Sequence, residues 1–84
     1  MRVYAIVQSW DLRHTDPGHY IDSVHTSLES ARERFGHVVA GELEANGIDA
    51  DDEWEVRNVD GLFNAWNEYS DQWIQVEILE KEMQ

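Results

Sequence analysis

Four histidines are the side chains of this sequence best suited to metal binding or proton transfer. His14 and His19 flank the turn-forming segment Asp16-Pro17-Gly18, and His25 follows on a predicted strand. Three imidazoles close together could hold a transition metal. Their spacing matches no known ligand pattern, however, and the sequence has no cysteine to complete a site. We therefore expect surface or packing histidines and no bound metal.

Carboxylates between residues 49 and 60 imitate part of a calcium-binding loop. Asp49, Asp51, Glu53 and Asp60 fall at the ligand positions of the EF-hand template. Trp54 occupies the position that requires glycine, and Asp60 stands where a bidentate glutamate is expected. The sequence therefore excludes an EF-hand and leaves only a loose cation cluster as an alternative.

Enzymatic chemistry has no recognisable signature in this chain. Ser, His and Asp occur without a nucleophile elbow, and Gly61 stands alone rather than in a phosphate-binding glycine loop. Carboxylate pairs are frequent because carboxylates are frequent. We expect neither enzymatic activity nor a cofactor.

The charge distribution is the strongest functional signal. The chain carries 18 acidic against 6 basic residues, a net charge of −12, and residues 36–84 hold 13 acids against two bases. Such a charge attracts cationic partners, and it argues against direct binding to nucleic acid or anionic membranes. Aromatic residues lie among these acids and are typical of binding hot spots. We expect the contact surface to comprise Glu42, Glu44, Asp49, Asp51, Asp52, Glu53, Trp54, Glu55 and Trp73.

The size and composition indicate one domain over residues 1–84. The 42% hydrophobic fraction is too high for a disordered acidic tail. Neither a membrane-spanning run nor a signal peptide is recognisable, and cysteine is absent. We expect a soluble intracellular protein.

The elements that would position these residues are strands at both ends and a helix between them. Apolar runs at residues 3–7 and 20–25 predict a hairpin, and alternation at 72–79 predicts a final strand with Ile74, Val76 and Ile78 on one face. Residues 54–57 predict a short edge strand. This order predicts an α+β, two-layer domain with a mostly antiparallel sheet.

Helical patterns occupy the middle of the sequence. Thr26 and Glu29 form a predicted capping box, followed by an apolar stripe through Phe35, and Gly47 suits the helix end. The stripe comprises Leu28, Ala31, Phe35, Val38, Val39 and Leu43. We also expect Asp60 to cap a short helix over residues 61–69, with Leu62, Phe63 and Trp66 facing inward.

Taken together, the opening strand Val3-Tyr4-Ala5-Ile6-Val7, the segment from Val24 to Ala31 and the terminal strand Trp73-Ile74-Gln75-Val76-Glu77-Ile78 resemble small acidic proteins of phages and prophages. Acidic members of that group are similar in character to anti-CRISPR and anti-restriction proteins, some of which imitate DNA with surface carboxylates. The resemblance implies a location in the cytoplasm of a prokaryotic host.

The leading hypothesis is a non-enzymatic inhibitor that covers the basic nucleic-acid-binding surface of a host protein, such as a CRISPR–Cas component. One alternative is a structural or homodimeric interaction module that uses an exposed strand edge. A second alternative is a small-ligand or metal-responsive protein that uses the histidine-bearing loop.

The net charge predicts that salt stabilises the fold. Self-repulsion among the acids is screened over a Debye length of about 10 Å at 0.1 M salt. We therefore expect the melting temperature to rise as NaCl increases from about 10 mM to about 150 mM, where screening becomes strong. Calorimetry checks this, and a flat or falling response would show that the acids do not repel one another appreciably.

Overall fold

The chain folds into a five-stranded antiparallel sheet with one helix, as far as the described residues show, which confirms the predicted α+β architecture. A computed structural model describes residues 1–12, 16–48, 53–67 and 69–82. The elements are β1 (Arg2–Asp11), β2 (Gly18–His25), α1 (Leu28–Ala45), β3 (Trp54–Val59), β4 (Leu62–Asn67) and β5 (Gln72–Glu82). No helix in these ranges is long and apolar enough to cross a membrane.

The two terminal strands lie side by side within the sheet, whose order is β2-β1-β5-β4-β3. The register of β1 against β5 runs from Arg2 opposite Glu82 to Asp11 opposite Trp73. Pairing of sequence-distant strands leaves β2 and β3 as the sheet edges. The predicted edge strand near residue 54 is therefore confirmed as β3.

Helix α1 begins one residue later than the sequence pattern predicts. The N-cap is Ser27, whose Oγ accepts a hydrogen bond from the Ser30 backbone N–H at 3.1 Å. The predicted capping box of Thr26 with Glu29 is therefore wrong, because the extended backbone at Ser27 brings its own hydroxyl to the first turn. At the other end, Gly47 adopts the predicted left-handed conformation (φ +62°) and Ile48 returns to the core.

The core lies between α1 and one side of the sheet, which we call the inner face. The helix contributes Ala31, Phe35, Val38 and Val39, as the apolar stripe predicts, and Leu28 remains more exposed at the first turn. From the sheet, the largest fully buried side chains are Ile6, Phe63, Ile74 and Val76. The opposite side of the sheet, which we call the outer face, points away from α1.

The predicted helix over residues 61–69 is instead strand β4, joined to β3 by the two-residue connection Asp60-Gly61. Gly61 has φ of +80°, a conformation that glycine adopts without strain. The two-residue period of a strand places Phe63 and Trp66 on opposite faces, whereas a helix would place them on one stripe. Phe63 is buried as expected, but the inward predictions for Leu62 and Trp66 are wrong. Leu62 lies on the side of the sheet opposite Phe63, and 40% of the surface of Trp66 is exposed.

The turn between β4 and β5 is organised by Asn67, which is buried. Its Oδ1 accepts hydrogen bonds from the backbone N–H groups of Tyr69 and Ser70, at 3.0 and 3.2 Å. Its carbonyl accepts from the N–H of Asp71 at 3.0 Å, and Asp71 has φ of +58°. This turn brings the strands back in the register that sets Trp66 directly opposite Trp73.

Truncation of Phe35 tests the packing of the helix on the inner face. We expect Phe35→Ala to lower the free energy of unfolding by about 3–5 kcal/mol, because it leaves a cavity in a small core. Chemical denaturation measures this change. The matched control is Leu28→Ala on the exposed part of the same helix, and equal losses in both variants would contradict the observed packing.

Candidate protein-binding surface

The outer face is built from alternate residues of the strands, which the sheet register aligns in rows. Directly opposed residues in antiparallel strands point to the same side of the sheet. Each row can therefore be followed across the sheet from the strand pairings. No described element covers this face.

One row at the end of the sheet combines two indoles with two carboxylates. Glu55 on β3 lies opposite Trp66 on β4, Trp66 opposite Trp73 on β5, and Trp73 opposite Asp11 on β1. We call these four residues the tryptophan row. Trp66 is 40% exposed and Trp73 39% exposed. Exposed indoles between acids, on a face open to water, present apolar area together with negative charge.

The remaining rows of the outer face are first polar and then apolar. The adjacent row consists of Arg57, Asn64, Gln75, Ser9 and His19. Beyond it lie two rows around Glu77, formed by Val59, Leu62, Glu77, Val7 and Ile21 and then by Leu79, Ala5 and Val24. Val59, Ile21, Leu79 and Val24 are exposed, and a last row pairs Val3 with Lys81. Exposed apolar side chains that adjoin one another mark interaction surfaces. The whole outer face is therefore suited to covering by a partner.

Further acids lie close to the tryptophan row in the chain. Glu53 immediately precedes β3, and Asp71 lies in the turn that joins the strands of Trp66 and Trp73. Both are exposed. The nearest basic residue by register on the outer face is Arg57, one row away. This end of the described sheet is thus acidic.

The sequence-predicted contact residues are divided between the two faces of the sheet. Trp73 and Glu55 lie in the same row on the outer face. Trp54 lies opposite Asn67 on the inner face and packs partly buried against the core, so it does not share a surface with Trp73. The residue opposite Trp73 on the outer face is Trp66, which the predicted contact surface did not include. The Asp60-Gly61 hairpin signal and the alternation that follows it could have revealed this placement.

The helical acids of the predicted surface lie on the other side of the sheet. Glu42 accepts hydrogen bonds from Gln8 Nε2 at 2.9 Å and from Asn46 Nδ2 at 3.0 Å, which ties α1 to β1. Glu44 is exposed in the last turn of α1. Asp49, Asp51 and Asp52 lie outside the described residues.

A hydrogen-bonded chain of polar side chains links β2 to the start of α1. His25 contacts Ser30 Oγ through Nδ1 at 2.7 Å and Ser23 Oγ through Nε2 at 2.8 Å. Ser23 Oγ in turn donates to Asp22 Oδ2 at 2.9 Å. A serine hydrolase instead places the carboxylate directly on the histidine. Because Ser23 lies between Asp22 and His25, we interpret these hydrogen bonds as a structural connection between β2 and α1.

Asp22 takes its position from a β-bulge in β2. Ile6 pairs with Ser23 and Val7 with Ile21, so Asp22 is the extra residue and turns toward α1. Its carboxylate accepts two hydrogen bonds from Arg34, from Nε at 2.8 Å and Nη2 at 2.9 Å. These bonds lower the pKa of the Asp22 carboxyl below its ordinary value despite the opposing effect of burial, and the Ser23 hydroxyl adds to the lowering.

The functional assignment can use neither a metal site in the described residues nor similarity to a known protein. Within residues 1–12, 16–48, 53–67 and 69–82, no three His, Asp or Glu side chains form a group that could hold a metal ion. His14 lies outside these ranges. Comparisons with protein-family models, curated proteins and solved structures give no match for this chain. Its function is therefore inferred from the outer face itself.

The Asp22–Arg34 pair predicts a specific dependence of stability on pH. A lowered folded-state pKa means that the pair stabilises the fold above the unfolded-state pKa of about 3.9, and that this contribution disappears as the pH falls through the lower folded-state value. We expect Asp22→Asn to be destabilising at neutral pH, with the difference from wild type shrinking below about pH 4.

Urea denaturation across this pH range measures the effect. The matched control is Asp60→Asn, which removes the partner of Arg32 from an ion pair whose side chains are 53% and 68% exposed. Its effect should be small, because exposed pairs contribute little. A difference between wild type and Asp22→Asn that stays constant down to about pH 2 would contradict the assignment.

Proposed function

We propose that this chain is a non-enzymatic binding protein that docks its outer face onto the basic, nucleic-acid-binding surface of another protein. The observation that carries the proposal is the tryptophan row, two exposed indoles flanked by Glu55 and Asp11. Docking would cover the partner's nucleic-acid site and thereby inhibit it. A phage-encoded inhibitor of a CRISPR–Cas or restriction component is the specific form of this proposal.

The indoles would supply most of the contact energy. Tryptophan is among the residues most enriched at binding hot spots, because one side chain buries a large apolar area at low entropic cost. Trp66 and Trp73 are opposed on neighbouring strands, so the sheet holds them in place before binding. The adjoining apolar rows around Val7 and Leu79 would exclude water from the contact.

The carboxylates would select a cationic partner. Glu55 and Asp11 bracket the indoles, and the chain as a whole carries a net charge of −12. Long-range attraction of that sign accelerates association with a basic surface. Nucleic acid itself would be repelled, since neutralising phosphates requires clustered Lys and Arg. The charge of the outer face therefore favours a protein whose basic surface binds nucleic acid over nucleic acid itself as the partner.

Pairing of two copies through their outer faces fits the charges less well. A two-fold interface places the same patch on both subunits, so the acids of both tryptophan rows and both copies of Glu77 would be drawn into one buried interface. Like charges brought together in this way oppose association. The experiment must therefore distinguish a homodimer from a complex with a different protein.

The test begins with affinity capture on the immobilised wild-type chain from a prokaryotic lysate. Binding of each captured nucleic-acid-binding protein is then measured with the purified chain, with and without that protein's own nucleic acid. We expect competition with the nucleic acid and weaker binding at higher salt. We also expect Trp66→Ser with Trp73→Ser to weaken binding by about a hundredfold or more, mainly through faster dissociation.

A pair of charge variants separates the outer face from the total charge. One variant carries Glu55→Lys and Asp11→Lys in the tryptophan row, and the control carries Glu33→Lys and Glu44→Lys on α1. Both change the net charge equally, so only the first should strongly slow association and weaken binding if docking uses the outer face.

Three results would overturn the proposal. They are equal effects of the two charge variants, binding that is indifferent to the nucleic acid, and sedimentation at twice the monomer mass that the tryptophan substitutions convert to monomer. The last result would establish the homodimeric module instead. Circular dichroism and melting temperatures confirm that each variant is folded.

A further inference from the structure

A second feature of the molecule lies on the inner face, away from the tryptophan row. A cavity of about 250 Å³ opens between the C-terminal half of α1 and strands β1, β2 and β5. Its lining includes Gln8, Trp10, Leu12, Tyr20, Glu42 and Ile74. The volume lies just below the usual range of ligand pockets, about 300–1,000 Å³, and therefore suits only a very small ligand.

Gln8 lines this cavity and anchors the carboxylate beside it. The residue is only 5% exposed, and its Nε2 donates to Glu42 Oε1 at 2.9 Å. Rotating the amide would place oxygen against the carboxylate, so the orientation is fixed by Glu42. Gln8 Oε1 has no hydrogen-bond partner among the described residues. This oxygen is also closed to water-sized molecules, so the charged group that the cavity offers to a ligand is the Glu42 carboxylate, which Gln8 Nε2 holds in place.

Glu42 adds a negative charge that no described cation neutralises. Its carboxylate accepts from the neutral amides of Gln8 and Asn46, and no Lys, Arg or His of the described chain lies within ion-pair distance. Each carboxylate oxygen has further lone pairs to offer. Glu42, held in place by Gln8 and Asn46, is thus an acceptor suited to a positively charged donor.

Two aromatic rings also line the cavity and are held in place. Trp10 Nε1–H donates to the Asp16 carbonyl at 3.0 Å, and the Trp10 ring meets Tyr20 edge-on with centroids 5.7 Å apart. Gly18 lies against the same indole, since a Cβ there would approach Trp10 Cζ2 to 2.9 Å. Indole and phenol rings attract cations.

We propose that this cavity binds an organic cation, an ammonium or guanidinium group on a short aliphatic chain. The charged group would donate to the Glu42 carboxylate, while the aliphatic chain would contact Leu12, Ile74 and the aromatic rings. Anions are disfavoured by Glu42. A metal ion lacks the ligands, because among the lining residues Glu42 alone is a carboxylate and none is a histidine or cysteine.

The probes are n-butylammonium and n-butylguanidinium, with n-pentanol as a neutral compound of similar shape. Ionic strength is held constant with NaCl. Two-dimensional NMR follows the Gln8 side-chain amide and the Trp10 indole N–H during each titration. We expect saturable shifts of both signals with the cations and much weaker shifts with n-pentanol.

Matched variants locate the charge that the cation recognises. Glu42→Gln should weaken binding by about tenfold or more, because a charge-assisted contact is lost. Glu44→Gln makes the same charge change two residues away on α1, outside the lining, and should leave the affinity unchanged. Leu12→Phe fills the cavity without altering the Gln8–Glu42 bond and should also weaken binding, which keeps the test valid if Glu42→Gln is poorly folded.

The source of the cation is distinguished with capped peptides, acetyl-Gly-Lys-Gly-amide and acetyl-Gly-Arg-Gly-amide. Tighter binding of a peptide than of the free alkyl cation assigns the cavity to a partner's side chain, and the reverse assigns it to a small molecule. Either order supports the site. Equal shifts with n-pentanol, equal losses in Glu42→Gln and Glu44→Gln, or no saturable shift would overturn it and leave a water-filled cavity.

Discussion

The structure depends on one constraint, which is that α1 can cover only one side of the sheet that the described residues form. Burial of Phe35, Val38 and Val39 against Ile6 and Ile74 makes the inner face the core. The outer face remains exposed to water although it carries apolar residues such as Ile21 and Val24. An antiparallel sheet tolerates one solvated face, but that face is normally polar. The departure from this pattern is the basis of the proposal that a partner covers this face.

Each face of the sheet carries its own group of aromatic and acidic side chains. The outer face gathers Trp66 and Trp73 between carboxylates, because the Asn67 turn and the Asp60-Gly61 connection fix the register of β3, β4 and β5. The inner face keeps its polar groups under α1, where Gln8 and Glu42 meet. In both arrangements, carboxylates that form no ion pair within the described part of the chain lie beside aromatic rings. Positive charge is therefore the property that ligands of either face would share.

Local patterns predicted the fold well, and pairings between distant segments explain what they missed. The apolar stripe around Phe35 and the alternation of Ile74 and Val76 are short-range signals, so α1 and β5 could be identified from the sequence. Leu62, Phe63 and Trp66 also fit a helical spacing, which competes with the hairpin signal of Asp60-Gly61, and pairing with β5 stabilises the strand. Whether Trp54 or Glu55 faces outward depends on that same register. The bulge at Asp22 and the unpartnered Gln8 Oε1 arise from tertiary packing, which no local pattern encodes.

Oxidative footprinting of the tryptophans tests most directly whether the outer face is the docking surface. The free chain and its complex with the captured partner are exposed to hydroxyl radicals, and oxidation of each tryptophan is quantified by mass spectrometry. The outer-face account predicts that Trp66 and Trp73 are oxidised in the free chain and protected in the complex, while Trp54 on the inner face changes little. Protection of Trp54 with unchanged oxidation of Trp66 and Trp73 would contradict it.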